Sequence, residues 1–430
     1  MIIMDHDRLC EYTTADEFVV ISGEFRIIGK RAFAHGRMPV RFVVIPPSVT
    51  EIEERAFYDC NNMLSIVIPG SVKTIGKKAF GYGIDGKVES FHIFGEKGSE
   101  AEHYAAENGF AFFPLHENAP SFDDFTLSYY QTKRVNNDLY SQISFHYPLT
   151  VPNIHEEAAR LLNVALEMYQ TDYPGAIERL KQARRIYLTM HATDEQIFRL
   201  EPEPPHLPGQ DEAIYHYAEI EHFICNSEGC SAASRGDWHT AYDCFKTAYL
   251  DMWLYHKPKD DTDLHIKWML FKALGLTSLM LQNPAEALYR YQQELEALRE
   301  LRPVEKYYGE YSECFKRIGD ALLFYGYLDA VEYFCERSMR MHRANMEYRE
   351  KTANDTDSKA YLDLSSPAYD EYRLALLYED SWRMRYACNL LKECRDKAPW
   401  QIEKKEEITA DIRCIEEIAL KTAETSGERI

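Results

Sequence analysis

A short phrase that returns twice constrains what this chain can fold into more than anything else in it. Ile28-Gly-Lys-Arg-Ala-Phe33 recurs as Ile52-Glu-Glu-Arg-Ala-Phe57 and as Ile75-Gly-Lys-Lys-Ala-Phe80, at spacings of 24 and 23 residues. A second phrase travels with it: Val43-Val-Ile-Pro-Pro-Ser-Val49 returns as Ile66-Val-Ile-Pro-Gly-Ser-Val72, again 23 residues on. Self-similarity at such a period marks units that cannot bury their apolar side alone and must stack. The β-branched run Val43–Ile45 suits a short strand, and the proline after it ends ladder pairing. The Ala-Phe pair sets a small residue where backbones approach and a large one to fill the solenoid core.

These residues resemble the BspA-like family of leucine-rich repeats, with Phe57-Tyr-Asp-Cys60 and Ile66-Val-Ile-Pro69 in that family's pattern. The resemblance covers residues 18–113, and Gly98-Ser-Glu-Ala-Glu-His-Tyr-Ala-Ala-Glu-Asn-Gly-Phe110 resembles the segment that often closes such arrays. In the family the outward-facing strand position is often threonine; here it is Val44, Val67 and His92, with Phe42 and Phe94 nearby. The ladder is therefore partly apolar, and two readings of it stay open. Phe42, Val44, Val67 and His92 form a contact site for a partner, or they dock on another part of the chain.

From residue 153 the pattern turns helical, with small residues at fixed offsets. One set is Leu274-Gly275, Ala287 and Tyr291; a second is Gly229, Gly236, Ala241, Phe245 and Ala248. A third is Ile318-Gly319, Gly326, Ala330 and Phe334; a fourth is Leu374-Ala375, Tyr378, Ala387, Leu391 and Pro399. A poorer copy precedes them in Ala176, Leu180 and Ala183. Two antiparallel helices pack closely only where a small residue faces its counterpart, and a tight turn between them meets that need. Arg235-Gly-Asp237, Gln282-Asn-Pro284 and Tyr325-Gly-Tyr327 supply the breakers. This resembles the tetratricopeptide family over residues 155–400, with a capping helix expected at 403–424. The alanines at 176, 241, 287, 330 and 387 are 65, 46, 43 and 57 apart, against that family's repeat of about 34. Longer helices or inserted loops are expected, among them the stiff Glu201–Pro208 and the polar Lys351–Ser366.

The expected fold class is α+β, mostly α: a short leucine-rich-repeat solenoid followed by a helical-hairpin, tetratricopeptide-like α-solenoid. The expected domains are 1–114 and 153–430, joined by a bridge at 115–152 to which no element is assigned.

Charge and composition bound the partners. The chain has 430 residues, 45% hydrophobic and 28% charged, with 30 tyrosines and 21 phenylalanines, which is the composition of a folded protein. A net charge of −21 argues against a general binder of nucleic acid or of an anionic membrane. Residues 1–113 carry −4 and the remainder −17. That acidity is read either as a solvated surface or as a preference for a basic partner surface. Met1–Arg8 has no basic segment followed by an apolar run, so no secretory signal is expected, and no apolar stretch is long enough to span a membrane. Ten cysteines without a CxxC fit reduced thiols and a cytoplasmic location, with surface exposure as the alternative that the BspA-like resemblance implies.

Chemistry is sparse. Gly81-Tyr-Gly83-Ile-Asp-Gly86 spells a dinucleotide string, but it occupies the repeat turn that Asp59-Cys-Asn-Asn62 occupies one unit earlier. His222, Cys225, Cys230 and His239 have ligand types, yet their spacing crosses a helix hairpin and lacks a zinc knuckle. No nucleophile elbow, phosphate loop or metalloprotease motif occurs, so no catalytic residue, cofactor or metal is assigned and the chain is read as a non-enzyme. Binding surfaces are the better candidates. An inner helix row would hold Lys272 and Leu276, then Lys316 and Asp320, then Tyr369 and Tyr372. The carboxylate-clamping tetratricopeptide domains place asparagines one turn after such lysines; Leu276 and Asp320 stand there instead, which leaves a mixed apolar–polar peptide groove. The expected function is a non-catalytic scaffold or adaptor for a protein or peptide. The alternative is a peptide-responsive sensor whose helical solenoid changes shape.

Overall fold

The computed structural model describes residues 2–34, 38–115, 160–161, 164–165, 167–168, 172–190, 224–226, 228–233, 235–255, 261–352, 368, 370–372, 374–375, 381–397 and 402–426. The chain divides into two compact units. One comprises residues 1–126, 282–295 and 303–430, and the other residues 127–281 and 296–302.

In the first unit the N-terminal part is a β-solenoid. Its strands are β1 (Ile2–Asp5), β2 (Arg8–Tyr12), β3 (Phe18–Val20), β4 (Ile27–Ile28), β5 (Phe42–Val44) and β6 (Glu51–Ile52). There follow β7 (Ser65–Ile68), β8 (Thr74–Ile75), β9 (Tyr82–Gly83), β10 (Gly86–Lys87) and β11 (His92–Gly95), then helix α1 (Glu100–Asn108) and β12 (Ala111–Pro114). Ten of the strands form two five-stranded sheets, ordered β1-β2-β4-β6-β8 and β12-β11-β7-β5-β3, and β9 pairs with β10 alone. Pairing is parallel and in register from coil to coil, with Val43 beside Ile66 and Ile66 beside Ile93. β1 alone joins its sheet antiparallel.

Between the sheets lies the core that the repeat predicts. Ala32, Phe33, Ala56, Phe57, Ala79 and Phe80 are fully buried. Phe33 stacks on Phe57 with ring centroids 4.3 Å apart and on Tyr12 at 4.8 Å. Each such ring contributes about 1.5–3 kcal/mol by leaving water. Helix α1 closes one end, burying Ala101, Tyr104 and Ala105, and the Tyr104 hydroxyl donates to the Phe80 carbonyl at 3.1 Å. Burial drives that phenol well above its ordinary pKa. The Gly81–Gly86 string forms the β9–β10 hairpin and meets no helix N-terminus, so its glycines serve the turn.

The helical part contributes α2 (Tyr173–Met190), α3 (Trp238–Tyr255), α4 (Asp261–Met280) and α5 (Pro284–Glu300). It continues with α6 (Tyr308–Tyr325), α7 (Val331–Thr352), α8 (Ser381–Lys397) and α9 (Ile402–Ser426). The pairs α6/α7 and α8/α9 pack together in the first unit, and α3/α4 in the second. The breakers act as their chemistry requires. The Asp237 carboxylate accepts from the Thr240 amide at 3.2 Å beside the start of α3, and Asn283 caps α5 by accepting from the Glu286 amide at 3.2 Å, ahead of Pro284 in the first turn. Gly326 takes the left-handed conformation and its amide closes α6 onto Leu322 and Leu323.

The small-residue offsets are core positions. Ala176, Ala183, Ala241, Ala248, Ala287, Ala330, Ala375 and Ala387 are all fully buried. Gly229 shows why size matters there, since a Cβ on it would stand 2.8 Å from the Phe245 ring. The capping helix expected at 403–424 is contained in α9. Tyr378, Pro399, the insert at 201–208 and the bridge beyond Leu115 lie outside the described residues.

Candidate interaction surfaces

The outward face of the β3-β5-β7-β11-β12 sheet is covered by the chain itself. Phe42 and Phe94 pack on Tyr327, with centroids at 6.3 and 5.0 Å. Phe42 also meets Tyr333 at 5.4 Å, and Phe18 meets Phe334 edge-on at 4.9 Å. Val44 and Val67 are fully buried and Phe42 nearly so. Polar groups at this seam find partners. Ser65 Oγ and the Tyr327 hydroxyl lie 2.8 Å apart, Gln292 Oε1 accepts from the Val20 amide at 2.6 Å, and His92 Nδ1 is 3.2 Å from Asp329 Oδ2. Burial, only partly offset by Ser65, drives the Tyr327 phenol well above its usual range. Of the two readings of this ladder, intramolecular docking is the arrangement present, with His92 at the half-exposed margin. All of these residues belong to the first unit.

The inner row is also buried. Lys316 is 1% exposed and Asp320 0%, and in the second unit Lys272 is 2% and Leu276 4% exposed. Tyr372 is fully buried, and Tyr369 lies outside the described residues. Within each unit, the described side chains of this row are therefore packed rather than solvated. The Lys316 ammonium reaches Glu313 at 2.5 Å, a carboxylate that remains 40% exposed. Beside this row sits a pair that the sequence reading missed, Arg317 with Glu294, joining α6 to α5. Burial alone would depress the Arg317 guanidinium, but the Glu294 carboxylate overrides it and holds the group above its ordinary pKa. Ser312 Oγ donates to the Ser338 carbonyl at 3.0 Å, and Ser338 Oγ donates to Asp370 at 2.8 Å, linking α6 to α7 and onward. Such polar groups look solvated in sequence, and only their neighbours in space reveal their burial.

A third surface remains open. The turns that follow β4, β6 and β8 stack in register. The Glu53 amide donates to the Ile28 carbonyl, Gly76 to Ile52 and Arg55 to Lys77. Three basic residues take equivalent places in this stack, Arg31, Arg55 and Lys78, and all have left-handed backbones with φ of 60, 59 and 53°. That conformation costs a residue with a side chain about 1–2 kcal/mol, whereas glycine adopts it freely. Arg31 and Lys78 are exposed, as are Lys30 and Lys77 one residue before them. The Arg55 guanidinium lies over the Tyr58 ring at 5.5 Å, and the Lys78 ammonium over Tyr82 at 5.3 Å. In the middle unit Glu54 replaces the lysine and pairs with Lys30 at 2.9 Å. The Lys30 hydrogen bond and charge, then Arg55 and Lys77, hold that carboxyl below its ordinary range.

Comparison with known proteins supports the solenoid. Residues 9–94 match the family described as the BspA type leucine rich repeat region, in six copies. Among curated proteins nothing matches. Among solved structures the chain is similar to Nro1, described as a hypoxic regulator of sterol synthesis and nuclear import adaptor. The identity is 12%, over 70% of this chain and 96% of that one, with a TM-score of 0.22. It is also similar to yeast Tom70 at 12% identity, over 76% of this chain and 80% of that one, with a TM-score of 0.22. At that score neither likeness carries an argument about architecture or function.

Proposed function

We propose that this protein is a non-catalytic interaction scaffold that holds a protein or peptide partner on the surfaces of its two repeat arrays. The observation that carries the reading is the BspA-type repeat region at 9–94 joined to packed helical hairpins. Stacked units of this kind present long surfaces rather than one enclosed pocket. The acidic helical portion, with −17 beyond residue 113, suits a partner with a basic face. Two buried cysteines fit the reading too. Burial, reinforced by Asp59, pushes the Cys60 thiol up to about 12, and burial with Glu416 does the same to Cys388. A nucleophilic cysteine needs the opposite shift. No helix among the described residues is long and apolar enough to cross a membrane.

The test is capture from the native cell followed by titration of the purified partner with the full chain. A scaffold binds reversibly and returns the partner at unchanged mass. Turnover of the partner into a product of different mass would sink the reading.

One observation favours a second reading, the peptide-responsive sensor. Lys316, Asp320 and Tyr372 are buried. A peptide that uses them must part the helices, which couples binding to shape. The distance between two labels on α6 and α8, measured with and without the captured partner, separates the two, since a rigid scaffold leaves that distance unchanged.

A further inference from the structure

We propose that the basic row on the solenoid turns, Arg31, Arg55 and Lys78 with Lys30 and Lys77 beside it, docks an extended acidic segment of a partner protein. The proposal rests on the scaffold reading and names the chemistry of one partner.

The row is out of character with the molecule. The chain carries −21, yet five cations here stand with three carboxylates, Glu53, Glu54 and Asp59, in the same turns, and Asp59 accepts from the Asn61 amide at 2.8 Å. Glu53 is already engaged by Arg8 and by the Lys30 amide at 2.8 Å. Among the described residues, no carboxylate stands within ion-pair distance of Arg31, Lys77 or Lys78. The backbone makes the choice of residue more telling. Glycine would relieve each of the three left-handed positions, and a basic side chain stands at all three. Successive coils repeat about every 4.8 Å, so the cations form a file across the coils rather than a scatter.

The chemistry of the occupant is displayed within the row itself. Glu54 sits among Lys30, Arg55 and Lys77 and bonds Lys30 at 2.9 Å. The surface therefore already holds one carboxylate in the manner proposed, and Arg31, Lys77 and Lys78 can take others. A peptide fits better than a nucleic acid. A duplex brings one charge about every 1.7 Å and would carry that charge past the acidic remainder of the molecule. A short acidic peptide brings its few charges only to the row. Arg55 and Lys78, resting on Tyr58 and Tyr82, are held in place before it arrives.

The experiment titrates the full chain against fluorescein-labelled decaglutamate by anisotropy, at about 50 mM and about 300 mM salt. The variant R31G/R55G/K78G removes three charges from positions where glycine is unstrained, so it folds; a melting temperature at or above that of the parent verifies this. A second variant, R31K/R55K, keeps the charge. Binding by the parent that weakens about tenfold at the higher salt is expected, with about a tenfold further loss in the glycine variant and near-parental affinity in the lysine variant. No binding by the parent at the lower salt, or undiminished binding by the folded glycine variant, overturns the proposal. Tighter binding of a ten-residue thymidine oligonucleotide than of decaglutamate to the same row also overturns it, in favour of a phosphate polymer. If the glycine variant captures the same cellular partners at parental strength, this docking assignment falls while the scaffold reading stands. Enzymatic turnover of a partner would do the reverse.

Discussion

Two flanks of one solenoid are written by the same repeat and end in opposite states. On the β3-β5-β7-β11-β12 flank the outward positions hold Phe42, Val44, Val67 and Phe94, all buried beneath residues such as Tyr327 and Phe334 of the helical array. On the turns after β4, β6 and β8 the equivalent positions hold Arg31, Arg55 and Lys78, and Arg31 and Lys78 stand in solvent. The period dictates only what faces inward, where Phe33, Phe57 and Phe80 fill the core. The outward side chains decide whether a flank is consumed within the fold or left to a partner. An apolar ladder carries its own driving force for coverage, and here a distant part of the same chain supplies the cover. A charged file has no such drive, since exposed ion pairs contribute little to stability.

The largest effect is expected from the element both flanks share. Phe57→Ala empties a fully buried site between the sheets and costs about 3–5 kcal/mol. A denaturant midpoint equal to that of the parent would show that the repeat does not make this core. The helical array offers a smaller test of the same logic. Ala241 is fully buried beside Phe245 and Leu274 in one cluster. Ala241→Leu overpacks that cluster by about 1–3 kcal/mol, and a neutral outcome in urea would remove the steric reason for the small residue. Next comes the covered flank alone. Tyr327→Phe leaves the buried Ser65 hydroxyl without its partner at 2.8 Å and costs about 1–2 kcal/mol. A variant as stable as the parent would mean that the seam is not closed in solution.

What was legible follows the same division. The repeat units, their inward phenylalanines and the helix breakers could be read because each repeats or acts within a few residues. Ala241 and Ala287 announce a close helix approach by composition alone. The coverage of the ladder could not be chosen over a free surface, because Ser65 and Tyr327 are 262 residues apart and their pairing leaves no period in the chain. Lys316 and Asp320 misled for a related reason. Helical spacing tells which residues share a stripe but not what packs over that stripe, and both proved buried. The basic file did leave a trace, the Arg, Arg and Lys just before each Ala-Phe pair. Its meaning needed the φ values, since left-handed backbone at a non-glycine residue is invisible in sequence.

The smallest predicted effect separates the two flanks by sign. Arg31 has φ of 60° and is exposed. Arg31→Gly relieves about 1–2 kcal/mol of left-handed strain. Glycine also gives the unfolded chain more freedom, which offsets about 0.4–1 kcal/mol of that relief. The net expectation is a gain of about 0.5–1 kcal/mol. Arg31→Ala removes the same charge but keeps a Cβ, so it gains nothing from the backbone. The difference between the two variants in urea midpoint therefore isolates the strain from the charge. A glycine variant less stable than the alanine variant would show that this turn is not strained, and the basic residues would lose their distinction from ordinary surface charge. With the expected order, trimming the cover of the buried flank at Tyr327 weakens the fold, whereas trimming the open flank at Arg31 strengthens it. A side chain whose removal stabilises the fold is held there for something other than folding.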